Sequence, residues 1–249
     1  MSAETLLEVR EATKMFGGVV ANDAISIDVP RGGIVGLIGP NGSGKTTLFN
    51  SIVGAHAIDS GSVRFAGREL ARLRMPEIAR LGLLRTYQQA HVYDGMTLRA
   101  NMQISTSHSG ERAFAMAGRF SPGVTEKALH LLEFVGLVEM RDEIAANLSY
   151  GQRKLLELAM ALISEPQMLL LDEPTAGINP AMIEHVIGYL KRANAALGIT
   201  LLVIEHNMRV IMGLASFIYC LAHGKLLAAG VPEAIRNDSR VIDAYLGAR

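Results

Sequence analysis

The feature that most constrains the fold of this chain is a glycine-rich run, Gly39-Pro40-Asn41-Gly42-Ser43-Gly44-Lys45-Thr46. The run matches the pattern G-x-x-x-x-G-K-[ST]. It follows the short apolar segment Ile34–Ile38 and precedes a helical pattern over residues 45–53. Glycines at these positions let successive backbone N–H groups turn toward one anion, and the N-terminus of the next helix favours the same anion. The sequence therefore predicts a β-strand, a phosphate-binding loop and an α-helix, in that order.

The side chains that follow the glycines suit a nucleoside triphosphate. Lys45 would place a positive charge near the β- and γ-phosphates, and the hydroxyl of Thr46 can bind Mg²⁺. We predict that the whole loop binds the nucleotide, together with Thr47 directly after it. A chance glycine-rich turn is the alternative, and the strand and helix patterns on either side argue against it.

Two carboxylates follow another apolar run, Leu169-Leu170-Leu171. They are Asp172 and Glu173. In an open α/β sheet, ligands collect at the carboxyl ends of the strands. Asp172 is suited to hold Mg²⁺, often through water, and Glu173 is suited to polarise the water that attacks the γ-phosphate. An acidic loop that caps a helix is the alternative, but beside a phosphate-binding loop the pair indicates hydrolysis.

Short apolar runs alternate with helical patterns along most of the chain, which predicts an α/β fold with a largely parallel sheet. We expect one domain over residues 1–249. Its core would comprise residues 1–90 and 166–249, with an antiparallel β region near the N-terminus. Residues from about 91 to 165 are helical in pattern and predict an inserted helical subdomain. Within it, we expect Ser105–Gly123, which carries Ser, Gly and Pro, to be a loop, and a helix to open at Thr125.

Composition excludes several classes of protein. The 24 basic and 24 acidic residues balance, so we expect no nucleic-acid partner. Among the arginines, only Arg85 stands out from what we expect to be a solvated surface. Cys220 is the single cysteine, so the chain forms no internal disulfide. The N-terminal residues lack the pattern of a signal peptide, and no apolar run is long enough to span a bilayer. We therefore expect any membrane contact to run through partner proteins.

The segment Leu148-Ser149-Tyr150-Gly151-Gln152 lies about twenty residues before Asp172 and opens an apolar helix. It resembles the LSGGQ signature of the ABC (ATP-binding cassette) ATPases, with Tyr150 in place of the first glycine. The resemblance implies a P-loop NTPase fold of the ABC ATPase type. It also implies that Ser149, Gly151 and Gln152 contact the γ-phosphate of an ATP bound to a partner subunit. An ordinary helix cap is the alternative.

Other elements of the ABC family occur in the expected order. Gln88 resembles the glutamine of the Q-loop, which contacts Mg²⁺ and water, although Gln89 is adjacent. His206, after an apolar run, resembles the switch histidine that meets the γ-phosphate. Phe16 lies where the family stacks an aromatic ring on adenine, and an ordinary core or hairpin aromatic is the alternative. Asn179 replaces the usual aspartate of the D-loop.

Finer details resemble one branch of the family, the larger ATPase subunit of branched-chain amino acid importers. The segments that carry this resemblance are Arg-Thr-Tyr-Gln at 85–88, Tyr-Gly-Gln at 150–152, Thr-Ala-Gly-Ile-Asn-Pro at 175–180, Ile-Glu-His-Asn-Met at 204–208 and Ala-Tyr-Leu-Gly at 244–247. The branch implies an ATP- and Mg²⁺-dependent ATPase whose catalytic residues are Lys45, Gln88, Glu173 and His206. It also implies a position in the cytoplasm, peripheral on the inner face of the cell membrane.

The same resemblance implies several partners. They are two membrane permease subunits, a second ABC ATPase or a second copy of this chain as dimer partner, and a periplasmic or extracellular substrate-binding protein acting indirectly. Three alternatives stay open from sequence. The chain could serve a urea or amide importer, it could be a soluble ABC ATPase outside transport, or it could bind ATP without useful turnover.

Overall fold

The computed structural model describes residues 4–86, 92–106 and 121–246. The described residues fall into two compact units. The first is drawn from residues 1–85, 167–174 and 191–249, and the second from residues 86–166 and 175–190. Gln88 and Gln89, proposed from sequence for the Q-loop, lie outside the described residues.

The strands in chain order are β1 (Thr5–Phe16), β2 (Val19–Pro30), β3 (Ile34–Ile38), β4 (Ser60–Phe65), β5 (Arg68–Glu69), β6 (Leu83–Thr86), β7 (Met168–Asp172), β8 (Thr200–Ile204), β9 (Phe217–Ala222) and β10 (Lys225–Gly230). The helices are α1 (Lys45–Ile52), α2 (Met75–Arg80), α3 (Leu98–Ser105), α4 (Pro122–Phe134), α5 (Tyr150–Leu162), α6 (Pro180–Leu197), α7 (Met208–Leu214), α8 (Pro232–Asn237) and α9 (Ser239–Leu246). Two 3₁₀ turns, Val138–Met140 and Ala145–Asn147, precede α5.

A six-stranded sheet with the order β10-β9-β3-β8-β7-β6 forms the centre of the first unit. β3 pairs in parallel with both β8 and β9, and β7 pairs in parallel with β8. Every residue of β3, β7 and β8 is buried, which explains why these strands are continuous apolar runs in the sequence. β10 joins the edge as an antiparallel hairpin with β9. The prediction of an α/β fold with a mostly parallel sheet is therefore confirmed.

A second sheet, with the order β2-β1-β4-β5, is antiparallel and provides the predicted N-terminal β region. Its inner residues, such as Leu7, Ile25 and Phe65, share one hydrophobic core with Phe49 of α1 and Leu202 of β8. All five are at most 1% exposed, so the burial of this core ties the N-terminal sheet to the parallel sheet.

The second unit is mainly helical, with Leu98, Met102, Leu132 and Leu156 fully buried. The prediction of a loop through residue 123 is wrong at its end, because α4 begins at Pro122 rather than at Thr125. The sequence there supplies standard start signals. Ser121 accepts the N–H of Val124, and proline follows at the first helical position. Residues 107–120 lie outside the described part of the chain.

Within the described ranges, we find no helix that combines the length and the apolar character needed to cross a bilayer.

Leu202→Ala should lower the free energy of unfolding by about 2–5 kcal/mol, because its side chain is fully buried at the centre of the parallel sheet. Leu226→Ala is the matched control. Leu226 lies on edge strand β10 and is 38% exposed, so its loss should stay within about 0.5 kcal/mol. Urea unfolding of the two variants measures the difference, and equal losses would contradict the burial of β8.

Candidate functional site

The glycine-rich loop joins the end of β3 to the start of α1. Two of its glycines are required by close contacts as well as by backbone angle. Gly39 has φ 146°, and a Cβ there would lie 2.1 Å from the carbonyl oxygen of Leu221. Gly44 has φ 98°, and a Cβ there would lie 2.4 Å from the carbonyl oxygen of Ala21. A side chain at either position would push the loop away from β2 and β9. Glycine at these positions therefore allows the loop to pack closely against both strands.

Lys45 is 5% exposed, and its ammonium is held by its own loop. Nζ donates to the carbonyl oxygens of Gly39 at 2.8 Å and Pro40 at 2.9 Å, and lies 3.4 Å from Oγ of Ser43. Burial lowers the pKa of Lys45, while the carboxylates of Glu173 and Asp172 act against that shift. Phosphate oxygens can take the place of such acceptors, because the ammonium has three donors on a flexible stem.

A cleft of about 550 Å³ opens over the loop. Its walls are residues of β2, of the glycine-rich loop and of the strand ends that face it, namely Val19, Val20, Ala21, Asn41, Gly42, Ser43, Gly44, Lys45, Thr46, Thr47, Glu173, His206, His223 and Gly224. The volume is in the usual range for small-molecule sites. The cleft brings together the predicted phosphate-binding loop, the predicted general base and the predicted switch histidine, all within the first unit.

Glu173 and His206 contact each other at the edge of this cleft. Nε2 of His206 lies 2.7 Å from Oε1 of Glu173, and both side chains are partly exposed. Glu173 has φ 51°, a conformation that is uncommon for a residue other than glycine. Its N–H donates to the carbonyl oxygen of Ile204 at 2.9 Å, so the end of β8 holds it in place. Strain of this kind, held by its surroundings, is often found at functional sites.

Asp172 forms a buried ion pair with Arg85 of β6. Nη2 of Arg85 lies 2.6 Å from Oδ2 of Asp172, and their side chains are 6% and 1% exposed. Arg85 also donates to Oδ1 of Asn50 and lies over the ring of Phe49, both in α1. One arginine thus connects the acidic end of β7 to the helix that follows the glycine-rich loop.

The oxygen ligands present suit Mg²⁺. Oδ1 of Asp172 is buried and makes no hydrogen bond with any of the described residues, so it remains available as an acceptor. Thr46, at the start of α1, is exposed and carries a hydroxyl. A carboxylate and a hydroxyl are hard oxygen donors, and Mg²⁺ sites commonly take only one or two protein groups beside substrate phosphates.

Phe16 ends β1 and is 44% exposed. The ammonium of Lys14 lies 5.3 Å from its ring centroid, and the ring of His56 meets it edge-on at 5.3 Å. Asp59 accepts the N–H of Met15 at 2.6 Å, which fixes the backbone next to the ring. The alternative of a core aromatic does not hold, because so much of the ring is open to solvent. Phe16 does lie at the turn from β1 to β2, as a hairpin aromatic would.

The signature segment lies in the second unit at the start of α5. Oγ of Ser149 accepts the N–H of Gln152 at 3.3 Å, and Oε1 of Gln152 accepts the N–H of Ser149 at 2.9 Å. This reciprocal pair is a capping box. Tyr150 is half exposed, and Gly151 is packed so closely on Met182 that a Cβ would lie 2.9 Å from its Cγ. The turn is therefore well ordered within its own unit.

Two residues that support the loop were not predicted from sequence. Asn22, 1% exposed, donates through Nδ2 to the carbonyl oxygen of Gly44 at 3.0 Å. Tyr245 of α9 accepts the N–H of Gly39 at 2.8 Å through its hydroxyl. Asn22 gives no sequence signal beyond a polar residue in a strand. Tyr245 has a sequence signal only as part of Ala-Tyr-Leu-Gly at 244–247, one of the segments that resemble the branched-chain amino acid importers.

Comparison with known proteins decides the family. The sequence profile described as "ABC transporter" matches residues 22–176. The chain belongs to the ABC transporter family of ATP-binding subunits. A second profile, described as "Branched-chain amino acid ATP-binding cassette transporter", matches residues 225–249. The ABC subunit is thus matched by one profile through the glycine-rich loop and the acidic pair, and by another at its C-terminus.

Relatives match this ABC subunit over nearly its whole length. The probable branched-chain amino acid transport ATP-binding protein LivG of Archaeoglobus fulgidus is 37% identical, over 98% of this chain and 96% of the relative. The high-affinity branched-chain amino acid transport ATP-binding protein BraF of Pseudomonas aeruginosa is 36% identical, over 97% and 98% of the two chains.

Solved structures of ABC cassettes have the same fold as this chain. A crystal structure of the ADP conformation of an ATP-binding cassette of an ABC transporter has a TM-score of 0.89 and 31% identity, covering 98% of this chain and 100% of that one. A dimeric cassette bound to ADP and Pi, at 23% identity and a TM-score of 0.76, supports the fold alone. The predicted family, the P-loop NTPase fold and the ATPase activity are therefore confirmed.

Arg85→Met should lower the free energy of unfolding by about 3–5 kcal/mol, because it leaves the charge of Asp172 buried without a partner. The double variant Arg85→Met/Asp172→Leu should recover most of that loss, since both charges are then removed. Arg64→Met is the control, because its pair with Glu69 is exposed and contributes at most about 1 kcal/mol. Denaturant unfolding compares the three variants, and a double variant as unstable as Arg85→Met would contradict a charge-pair origin.

Proposed function

We propose that this ABC ATPase powers the uptake of branched-chain or other amino acids. The observation that carries the proposal is the separate match of residues 225–249 to the branched-chain amino acid cassette profile. It is supported by full-length relatives that carry branched-chain amino acid transport in their names. An importer of urea or amides is the neighbouring alternative, because its ATPase would use the same chemistry.

In this proposal the cleft of the first unit binds ATP. The backbone N–H groups of the loop between Asn41 and Thr47 and the N-terminus of α1 bind the β- and γ-phosphates, while the N–H of Gly39 is donated to Tyr245. Lys45 keeps the carbonyl oxygen of Gly39 and exchanges that of Pro40 for a phosphate oxygen. Adenine stacks on the exposed ring of Phe16.

Glu173 is the general base in this proposal. Its carboxylate borders the cleft and takes the proton of the water that attacks the γ-phosphate. His206, 2.7 Å from that carboxylate, orients it and meets the γ-phosphate on its other side. Because the backbone of Glu173 is fixed by Ile204, the carboxylate is positioned before the water arrives.

Thr46, Asp172 and Gln88 would hold Mg²⁺. When bound, the ion neutralises charge that develops on the β- and γ-phosphates. Arg85 pairs with one oxygen of Asp172, and the other makes no hydrogen bond with the described residues, so it can serve as a ligand. Gln88, which follows β6 closely in sequence, would complete the set and add a contact to the attacking water.

Each ATP-binding site would be completed by residues of a partner subunit. Ser149, Gly151 and Gln152 begin α5, and the N-terminus of a helix favours an anion. We propose that these residues contact the γ-phosphate of ATP held by a second ABC ATPase or by a second copy of this chain. Closure of the pair would complete the sites, and hydrolysis would reopen them.

The remaining partners are two membrane permease subunits and a substrate-binding protein on the far side of the membrane. The chain would then be cytoplasmic and peripheral on the inner face of the membrane, with no role in binding nucleic acid. The balanced charge of 24 basic and 24 acidic residues supports attachment through proteins rather than through direct attraction to lipid.

Affinity purification of the tagged chain from gently solubilised membranes tests the transport proposal. We expect two polytopic permeases and a second, smaller ATPase to co-purify, and binding of leucine, isoleucine or valine by the substrate-binding protein encoded with them. Binding of urea or an amide by that protein would replace the proposed cargo. Soluble partners alone, with the chain absent from membranes, would overturn the transport proposal and leave the ATPase standing.

Glu173→Gln should keep ATP binding and lower the rate of hydrolysis by about 10²–10⁴-fold, because the amide cannot accept the proton of water. Glu233→Gln, an exposed change in α8, is the control and should leave the rate as it is. Phosphate release at saturating ATP measures both rates. Hydrolysis by Glu173→Gln at the unmodified rate would show that another group is the base.

A further inference from the structure

The last helix of the described chain ends against the first residue of the glycine-rich loop. The hydroxyl of Tyr245, in α9, accepts the N–H of Gly39 at 2.8 Å. The two residues are 206 positions apart in the sequence. The "ABC transporter" profile stops at residue 176, so this contact comes from a part of the chain that the general family profile does not cover.

The contact is sheltered from solvent. Gly39 is buried and Tyr245 is partly buried. Burial raises the pKa of Tyr245 to about 12, so the hydroxyl stays neutral across the range in which proteins work. A buried backbone N–H needs an acceptor, and losing it leaves the full desolvation cost of the donor.

Gly39 is held from three sides. Tyr245 accepts its N–H, the ammonium of Lys45 donates to its carbonyl oxygen at 2.8 Å, and the carbonyl oxygen of Leu221 packs 2.1 Å from where a Cβ would lie. The peptide before Gly39 is fixed by the tyrosine, and the peptide after it holds the lysine. A shift of Gly39 would therefore move the carbonyl oxygen that anchors Lys45.

The helix that carries Tyr245 is capped at its start and buried on one face. Oδ1 of Asp238 accepts the N–H of Arg240 at 2.9 Å, and the Arg240 guanidinium pairs with the same carboxylate at 2.7 Å. Val241 is 2% exposed, and Tyr245 lies four residues later on the same face. Asp243, about half a turn away from both, is exposed, which places the opposite face of the helix in solvent.

We propose that Tyr245 is a positioning residue for nucleotide binding: its hydroxyl fixes Gly39, so that the Gly39 carbonyl holds the Lys45 ammonium at the phosphate site. The proposal rests on the proposed role of Lys45 in binding phosphate. Tyr245 is not among the residues that line the cleft, so it acts through the loop. Its removal weakens binding of the phosphates by leaving Lys45 poorly anchored, while the cleft and the fold remain.

The test removes one hydroxyl at each of two comparable tyrosines. Tyr245→Phe keeps the ring and removes the acceptor. Tyr219→Phe is the control, because the hydroxyl of Tyr219, in the same unit, also accepts a backbone N–H, that of Asp28 at 2.9 Å, and in addition donates to the carbonyl oxygen of Asp28 at 3.1 Å. Titration calorimetry with ADP gives affinity without turnover, and thermal unfolding gives the stability of each variant.

Tyr245→Phe should raise the Kd for ADP by about tenfold, whereas Tyr219→Phe should change it by less than about twofold at a similar loss of thermal stability. Equal Kd values for the two variants would overturn the proposal and leave Tyr245 as an ordinary stabilising contact. In a Lys45→Ala background, Tyr245→Phe should change the Kd by less than about twofold, because the residue through which it acts is gone. A tenfold change that persists there would also overturn it.

The same binding measurements distinguish a failure of the proposed function from a failure of the proposed role of Tyr245. An unmodified chain that binds neither ADP nor ATP refutes nucleotide binding at the cleft, whereas an unmodified chain and a Tyr245→Phe variant of equal affinity refute only the role of Tyr245. If Tyr245→Phe does not fold, hydrogen exchange in the unmodified chain is the second measurement. A Gly39 amide as protected as those of β3 supports the hydrogen bond, and one that exchanges as fast as exposed Gly42 overturns it.

Discussion

The buried parallel pairing of β3 with β8 and β9 is the constraint on which the site depends. Because parallel strands end at the same edge, this pairing brings the glycine-rich loop, the backbone of Glu173 and the segment before His206 to one place. The loop can approach β9 closely only because Gly39 has no side chain. A mostly apolar sheet thus positions polar groups that are far apart in the sequence.

The charged groups at this edge of the sheet are buried and stabilised by partner groups instead of being exposed to solvent. Asp172 is almost fully buried and is stable there because Arg85 neutralises it. Lys45 is buried too, and carbonyl oxygens of its own loop solvate its ammonium. Asp172 keeps one oxygen without a hydrogen bond to the described residues, and Lys45 can exchange an acceptor of its own loop for a phosphate oxygen. Such preorganisation lowers the reorganisation needed when a phosphate arrives.

Local features of the site could be predicted from sequence, whereas its long-range supports could not. The glycine pattern, the carboxylates after β7 and the histidine after β8 each have a local signal, because strand ends and turns impose residue types on their neighbours. The partner of Arg85 and that of Tyr245 depend on which strands and helices become adjacent, and a single sequence does not encode that in any short pattern. β6 was missed for a related reason, since its four residues include only two apolar ones.

The strand order also determines when, during synthesis on the ribosome, the site can fold. β3 and its loop leave the ribosome early, but β8, β9 and Tyr245 lie far downstream, the last of them 206 residues after Gly39. Contacts of such long range form late and slowly. Nascent chains therefore carry the glycine-rich motif long before they have a site for it. A chain interrupted before β8 would lack the strand that pairs with β3 and the histidine that follows it, so the cleft could not assemble.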